Sequence, residues 1–305
     1  MHAVTDGAGV SDRPGVSGGP EVSGSGRRVR GGWLWGVSGV ITAALIAVPA
    51  AVLFGRAGMT GSGVVFGIGP GPAATHRTFI VPQPVRALTV DSYGSVVRIM
   101  AGAVSRVRVT ETIPAKAPGT PQVTDSVSGG RLTLSNSACV NSGCAANFTI
   151  TVPADVTADV SSQGGPVLVS GIAGATIESG SGPVNANRIR GPLTVSTDGG
   201  PLTVNGLAGA LNADTGDGIA IAQGLSAASA DISTEGGPVM VSFTAPPRSV
   251  IVRSGGGMAR ITVPGGPYAL TADSGGGPEA VEVATDPSAA RSLTVVTEGG
   301  PMFIG

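Results

Sequence analysis

The sequence predicts an all-β protein, a single-stack β-solenoid of the parallel β-helix kind preceded by one transmembrane helix. Three observations predict it. Glycine corners recur at Gly164-Gly165-Pro166, Gly182-Pro183, Gly200-Pro201, Gly218-Ile219, Gly237-Pro238, Gly257-Met258, Gly277-Pro278 and Gly300-Pro301, spaced 17 to 23 residues and mostly 18 to 20. Self-similarity at such a period marks a repeat architecture in which each unit buries its apolar face on the next. The flanks of each corner alternate apolar and polar residues, as in Leu193-Thr194-Val195 before one and Leu202-Thr203-Val204 after it, the pattern of half-buried strands. Finally, 22 residues from Trp33 to Phe54 carry no charge.

Composition agrees with narrow layers. Hydrophobic residues make up 41% of the chain but aromatics only 3%, so the apolar mass is Val, Ala, Leu and Ile. Such side chains stack along the axis of a thin coil, with Thr and Ser expected at the alternate, outward positions. The 51 glycines supply corners where φ can be positive, and the proline after them sits where no ladder donor is required. A net charge of -1 provides no basic face to displace counterions from nucleic acid, which is not an expected partner.

In chain order, residues 1–32 are rich in Gly, Ser and Pro without apolar periodicity and are expected to form a disordered cytoplasmic tail. Residues 33–54 follow Arg27, Arg28 and Arg30. At about 1.5 Å per residue they span a hydrocarbon core of roughly 30 Å, with Trp33 and Trp35 at its interface. The arginines keep the N-terminus inside, so the expected placement is a single-pass protein of the cell membrane with everything after residue 54 extracytoplasmic. A signal peptide cleaved near Val48-Pro49-Ala50 is the rival reading and leaves the compartment of the solenoid unchanged. Residues 55–77 read as a Gly/Pro-rich spacer and residues 78–305 as the β-solenoid domain. Within it, Cys139 and Cys144 are expected to close a small disulfide loop outside the cytoplasm. Zinc would need further ligands, and the only histidines are His2 and His76.

The strand Thr149-Ile150-Thr151-Val152-Pro153 follows a membrane or signal segment, and Gly171-Ile172-Ala173-Gly174 and Gly206-Leu207-Ala208-Gly209 form G-[LI]-x-G turns between the rungs. This order of parts resembles the DUF4097 family of adhesin-like bacterial β-solenoid proteins, over about residues 78–305. The resemblance implies a stack of short strands on the cell surface and brings no catalytic residues. Most corners here carry Gly-Pro where the family has Gly-Asp, a form that Asp217-Gly218 keeps.

No catalytic, cofactor or metal site is expected. A Ser-His-Asp or Cys-His arrangement needs a histidine in the folded domain, whereas His76 falls in the spacer and His2 at the start. Lys116 lies between alanines rather than in a phosphate-binding loop. One constellation remains. Asp198, Asp217, Glu235 and Glu298 each precede or flank a corner glycine, so stacking is expected to bring them into a surface column. Solvated turn residues are the plain reading of that column, with calcium coordination and general acid–base chemistry as its rivals. Arg188, Arg190, Arg248, Arg253 and Arg260 read as a sparse basic face.

The expected function is therefore an interaction, adhesin-like or scaffolding module of the bacterial envelope, not an enzyme. Its expected partners are the lipid bilayer through residues 33–54 and an envelope protein, a wall polymer or a second copy through the solenoid edge. An envelope-sensing membrane protein and a carbohydrate-active β-helix enzyme are the alternatives. The final strand is expected to leave an unpaired edge, which invites pairing with another chain.

Overall fold

The computed structural model describes residues 74–113, 122–137 and 146–305. The expected tail (1–32), the transmembrane helix (33–54), most of the spacer and the Cys139–Cys144 disulfide lie outside the described residues. Among those described, every regular element is a strand, and no helix is long and apolar enough to cross a membrane.

The chain enters through β1 (Thr75–Ile80), slightly ahead of the boundary expected at residue 78. A first coil consists of β2 (Ala87–Ser92) and β3 (Val97–Ala101). Next come β4 (Arg108–Ile113) and β5 (Gln122–Ser128), then a coil of β6 (Arg131–Ser137) and β7 (Asn147–Val152). Regular coils follow: β8 (Thr157–Ser162) with β9 (Val167–Ser170), β10 (Gly174–Ser179) with β11 (Val184–Asn187), and β12 (Leu193–Thr197) with β13 (Leu202–Asn205). They continue as β14 (Leu211–Asp214) with β15 (Ala220–Leu225), β16 (Ser229–Thr234) with β17 (Val239–Phe243), and β18 (Ser249–Ser254) with β19 (Ala259–Thr262). The last two are β20 (Ala269–Asp273) with β21 (Glu279–Val281) and β22 (Ser292–Thr297) with β23 (Met302–Ile304).

Each coil gives one strand to each of two sheets, a 12-stranded and an 11-stranded one. Their strands are parallel apart from the antiparallel pairings of β1, β4 and β5 at one end. Leu193 lies between Ala175 and Leu211 in one sheet, and Leu202 between Val184 and Ala220 in the other. The sheets are thus the two walls of a β-helix-like solenoid, one strand per wall and coil. Inner positions from both walls join in one hydrophobic cluster. Strand after strand alternates buried and exposed residues, so a neighbour about 4.8 Å away repeats the same column. Leu, Val, Ile and Ala suffice because the space between the walls is one side chain deep on each side.

From β8 onward the corner after each strand of the 11-stranded sheet is built from two stacked columns, whereas after β2 the equivalent Ser92 hydroxyl is buried without a partner. The final inward position holds a buried hydroxyl, not an outward one as expected: Ser162, Ser179, Thr197, Thr215, Thr234, Ser254 and Thr297 are all buried. Each donates to the carbonyl of the glycine three residues on, as from Thr197 to Gly200 at 2.9 Å and from Thr215 to Gly218 at 2.9 Å. A buried hydroxyl without such a partner would be costly, so this contact both closes the corner and satisfies the donor. The glycines themselves are needed for a different reason than positive φ, which Gly182, Gly200, Gly218 and Gly237 do not adopt. A Cβ on any of them would collide with a backbone oxygen of the adjacent rung.

The ends of the stack do not follow chain order. The first coil, β2 and β3, lies between the β6–β7 coil and the β8–β9 coil. At the other end the last coil, β22 and β23, is inserted between β18–β19 and β20–β21. Val252 pairs with Val295, which pairs in turn with Ala272. The final strand is therefore flanked on both sides, and the unpaired edge expected there belongs instead to β20 and β21.

Candidate functional site

The four acidic candidates are all exposed but do not form one column. Asp198, Glu235 and Glu298 occupy the second position of their corners, after Thr197, Thr234 and Thr297, whereas Asp217 is third after Thr215. Glycines intervene: the Glu235 amide donates to the Gly216 carbonyl, and the Glu298 amide to Ser254 O beside Gly255. Successive carboxylates at the second position are thus two rungs apart, about 9.5 Å. A calcium ion needs oxygens at about 2.4 Å, which side chains that far apart do not supply together. Among the described residues, no group of three or more His, Cys, Asp or Glu is placed to hold a metal ion.

The arginines separate as well. Arg253 belongs to the 11-stranded sheet and pairs with Asp231 at 2.9 Å. Arg260 is on the 12-stranded sheet with its guanidinium 4.8 Å from the Phe303 ring centre. Arg188 and Arg190 lie in the turn after β11, where Arg190 donates to Ala154 O and to Gly171 O. Arg188 has φ 52°, in the column where Gly171, Gly206 and Gly224 also have positive φ.

The two outer faces of the solenoid differ in chemistry, a feature that sequence reasoning missed. On the 11-stranded sheet, Asp91, Asp159, Glu178, Asp214, Asp231 and Asp273 point outward among Ser and Thr, with Arg131 and Arg253 on the same face. On the strands of the 12-stranded sheet Glu111 and Glu279 occupy inward positions, and the one carboxylate beside its outer face is Glu282, just past β21, in the groove lined by Arg260 and Phe303. That face carries Arg98, Arg108 and Arg260 with the half-exposed Leu168, Ile221, Met240 and Phe303. An amide row runs through it, with Asn205 Nδ2 donating to Asn187 Oδ1 at 3.2 Å. The sequence holds a partial signal, since the outward acids sit on strands before a corner, but Glu279 follows Gly277-Pro278 and only the register shows that it occupies an inward position.

Among the described residues two titratable side chains are buried, Glu111 and Tyr268. Glu111, 3% exposed, faces inward from β4, with Arg77 at 3.5 Å and Asp125 beyond it, 3.6 Å from the same guanidinium. Its Oε1 has no partner. Burial pushes its carboxyl above the usual carboxylate range and Asp125 adds to this, against the pull of Arg77. At the opposite end Tyr268 is buried and donates to Pro264 O at 2.7 Å, and burial raises its hydroxyl above the ordinary tyrosine value.

These features define a two-walled parallel β-solenoid with two long, regular outer faces. No family model matches the sequence, and no curated protein matches it. The fold is that of a solved Parabacteroides distasonis protein described as a "putative adhesin", with 16% identity and TM-score 0.50, covering 75% of this chain and 96% of that one. A "putative adhesin" from Parabacteroides merdae is 13% identical with TM-score 0.44, covering 76% and 96%. One from Bacteroides fragilis is 16% identical with TM-score 0.44, covering 77% and 99%.

Proposed function

We propose that this chain is an adhesin-like or scaffolding module of the bacterial envelope, of the DUF4097 type, held in the membrane by residues 33–54 with its solenoid outside. The observation that carries this reading is the pair of regular outer faces that run the length of the stack, one mainly acidic and the other carrying arginines and half-exposed apolar side chains. Such surfaces recognise by many repeated weak contacts, which suits an extended partner. The dispersal of Asp198, Asp217, Glu235 and Glu298 favours binding over catalysis in the same reading. The description of the Parabacteroides distasonis fold relative as an adhesin supports it.

The test uses the full chain with a C-terminal epitope tag. The reading expects the chain in the membrane pellet, the tag accessible to antibody on intact cells, and saturable retention of the detergent-solubilised chain on isolated envelopes. A soluble chain with a tag reached only after lysis, or no retention on envelopes, overturns it.

A further inference from the structure

The mainly acidic face and the face that carries Arg98, Arg108 and Arg260 are complementary in charge. Both are set up by strands in register, so each is a surface of parallel columns about 4.8 Å apart. Over the coils from β3 to β23 the 12-stranded face extends roughly 40 Å along the stack, and strands of four to six residues make it about 15–20 Å wide. Burying one such face covers roughly 700 Å² per copy, close to the ~800 Å² per partner of a stable protein interface.

We infer that these solenoids associate side by side, the outer face of the 12-stranded sheet of one copy lying on the outer face of the 11-stranded sheet of the next. The inference deepens the interaction-module reading by naming a second copy as partner. Complementary groups recur along both faces of the stack. Arg98 and Arg108 lie toward the β4 end, and Asp91, Asp159 and Glu178 occupy the same end of the other face. Ile221, Met240 and Phe303 lie toward the β21 end, as do the half-exposed Ile251 and Val296 of the other face. Arg260 stands at the β21 end as well, and Asp231 and Asp273 lie toward the same end of the acidic face, so either axis direction sets arginine against carboxylate. Because the contact joins two different faces, it does not close on itself and each copy keeps a free face of either kind.

The full chain in detergent micelles, studied by sedimentation, tests this. Average mass is expected to rise with concentration at about 50 mM salt and to return to that of the monomer at about 500 mM, where exposed charges are screened. Arg98→Glu with Arg108→Glu should abolish the rise, and so should Asp159→Lys with Glu178→Lys. An equal mixture of the two variants should restore it, since the reversed faces match each other; restoration also shows that both variants are folded. The milder Arg98→Gln should weaken association several-fold. A wild-type chain monomeric at low salt overturns the inference while leaving envelope retention as a separate question. Association unaffected by both reversals overturns it too, as does a monomer that instead binds dextran sulfate through Arg98 and Arg108.

Discussion

The carbonyl oxygen of Gly182 occupies the place where a side chain on Gly200 would begin. The same relation repeats between Gly200 and Gly218 and between Gly218 and Gly237. Gly200→Ala is therefore expected to lower stability by about 3 kcal/mol, since the obstacle is backbone held in a ladder on both sides. The neighbouring Gly199→Ala meets nothing within 4 Å and should change stability by about 0.5 kcal/mol or less. Chemical denaturation of the pair checks both; equal effects would show that the column is not what forbids a side chain.

Thr215 donates its hydroxyl to Gly218 O while wholly buried. Thr215→Val keeps the shape and removes the donor, leaving that carbonyl short of one partner. A loss of about 1–2 kcal/mol is expected in the same assay.

Glu279 occupies the core column that runs through Ala259 and Met302, yet it is exposed because no rung follows it. A charge at an inward position of an edge strand discourages a further strand from docking there. Glu279→Leu would complete the apolar column and is expected to promote end-to-end association, seen as a rise in light scattering with concentration that added salt does not reverse.

Glu111 is predicted to make stability depend on pH. Its folded carboxyl titrates above its ordinary value of 4.5, so between the two values the folded chain holds a proton that the unfolded chain has released. Stability contributed by this group therefore rises as pH falls from neutral toward about 4.5 and is lost as pH rises through the raised value. Glu111→Gln should flatten that part of the profile relative to the unaltered chain, as read from denaturation midpoints at a series of pH values.

Much of this fold is legible in the sequence because a stack of coils is a local code. The Gly-Pro corners, and the alternation in Leu193-Thr194-Val195 and Leu202-Thr203-Val204, mark the coils correctly. The role of the corner residues is less legible: Thr197 and Thr215 read as polar and outward, although the glycine three residues on was there to accept their hydroxyls. The acidic column misleads because Asp217 is one position later than Asp198, and a shift of one residue at a corner changes which atoms stack. The exchanged order of the end coils has no local signal, since Leu293-Thr294-Val295 would pair with β18 or β20 equally well by pattern alone. The contrast between faces needs the register of many strands at once, which only the assembled sheets reveal.

The insertion of β22 and β23 between two earlier coils acts as a latch. A force applied at Ile304 meets two ladders loaded together in shear, one to β19 and one to β21, where a strand at the rim would unzip one bond at a time. Assembly cannot run as simple winding from one end to the other, because a slot must stay open, or be reopened, until residues 292–304 arrive to fill it.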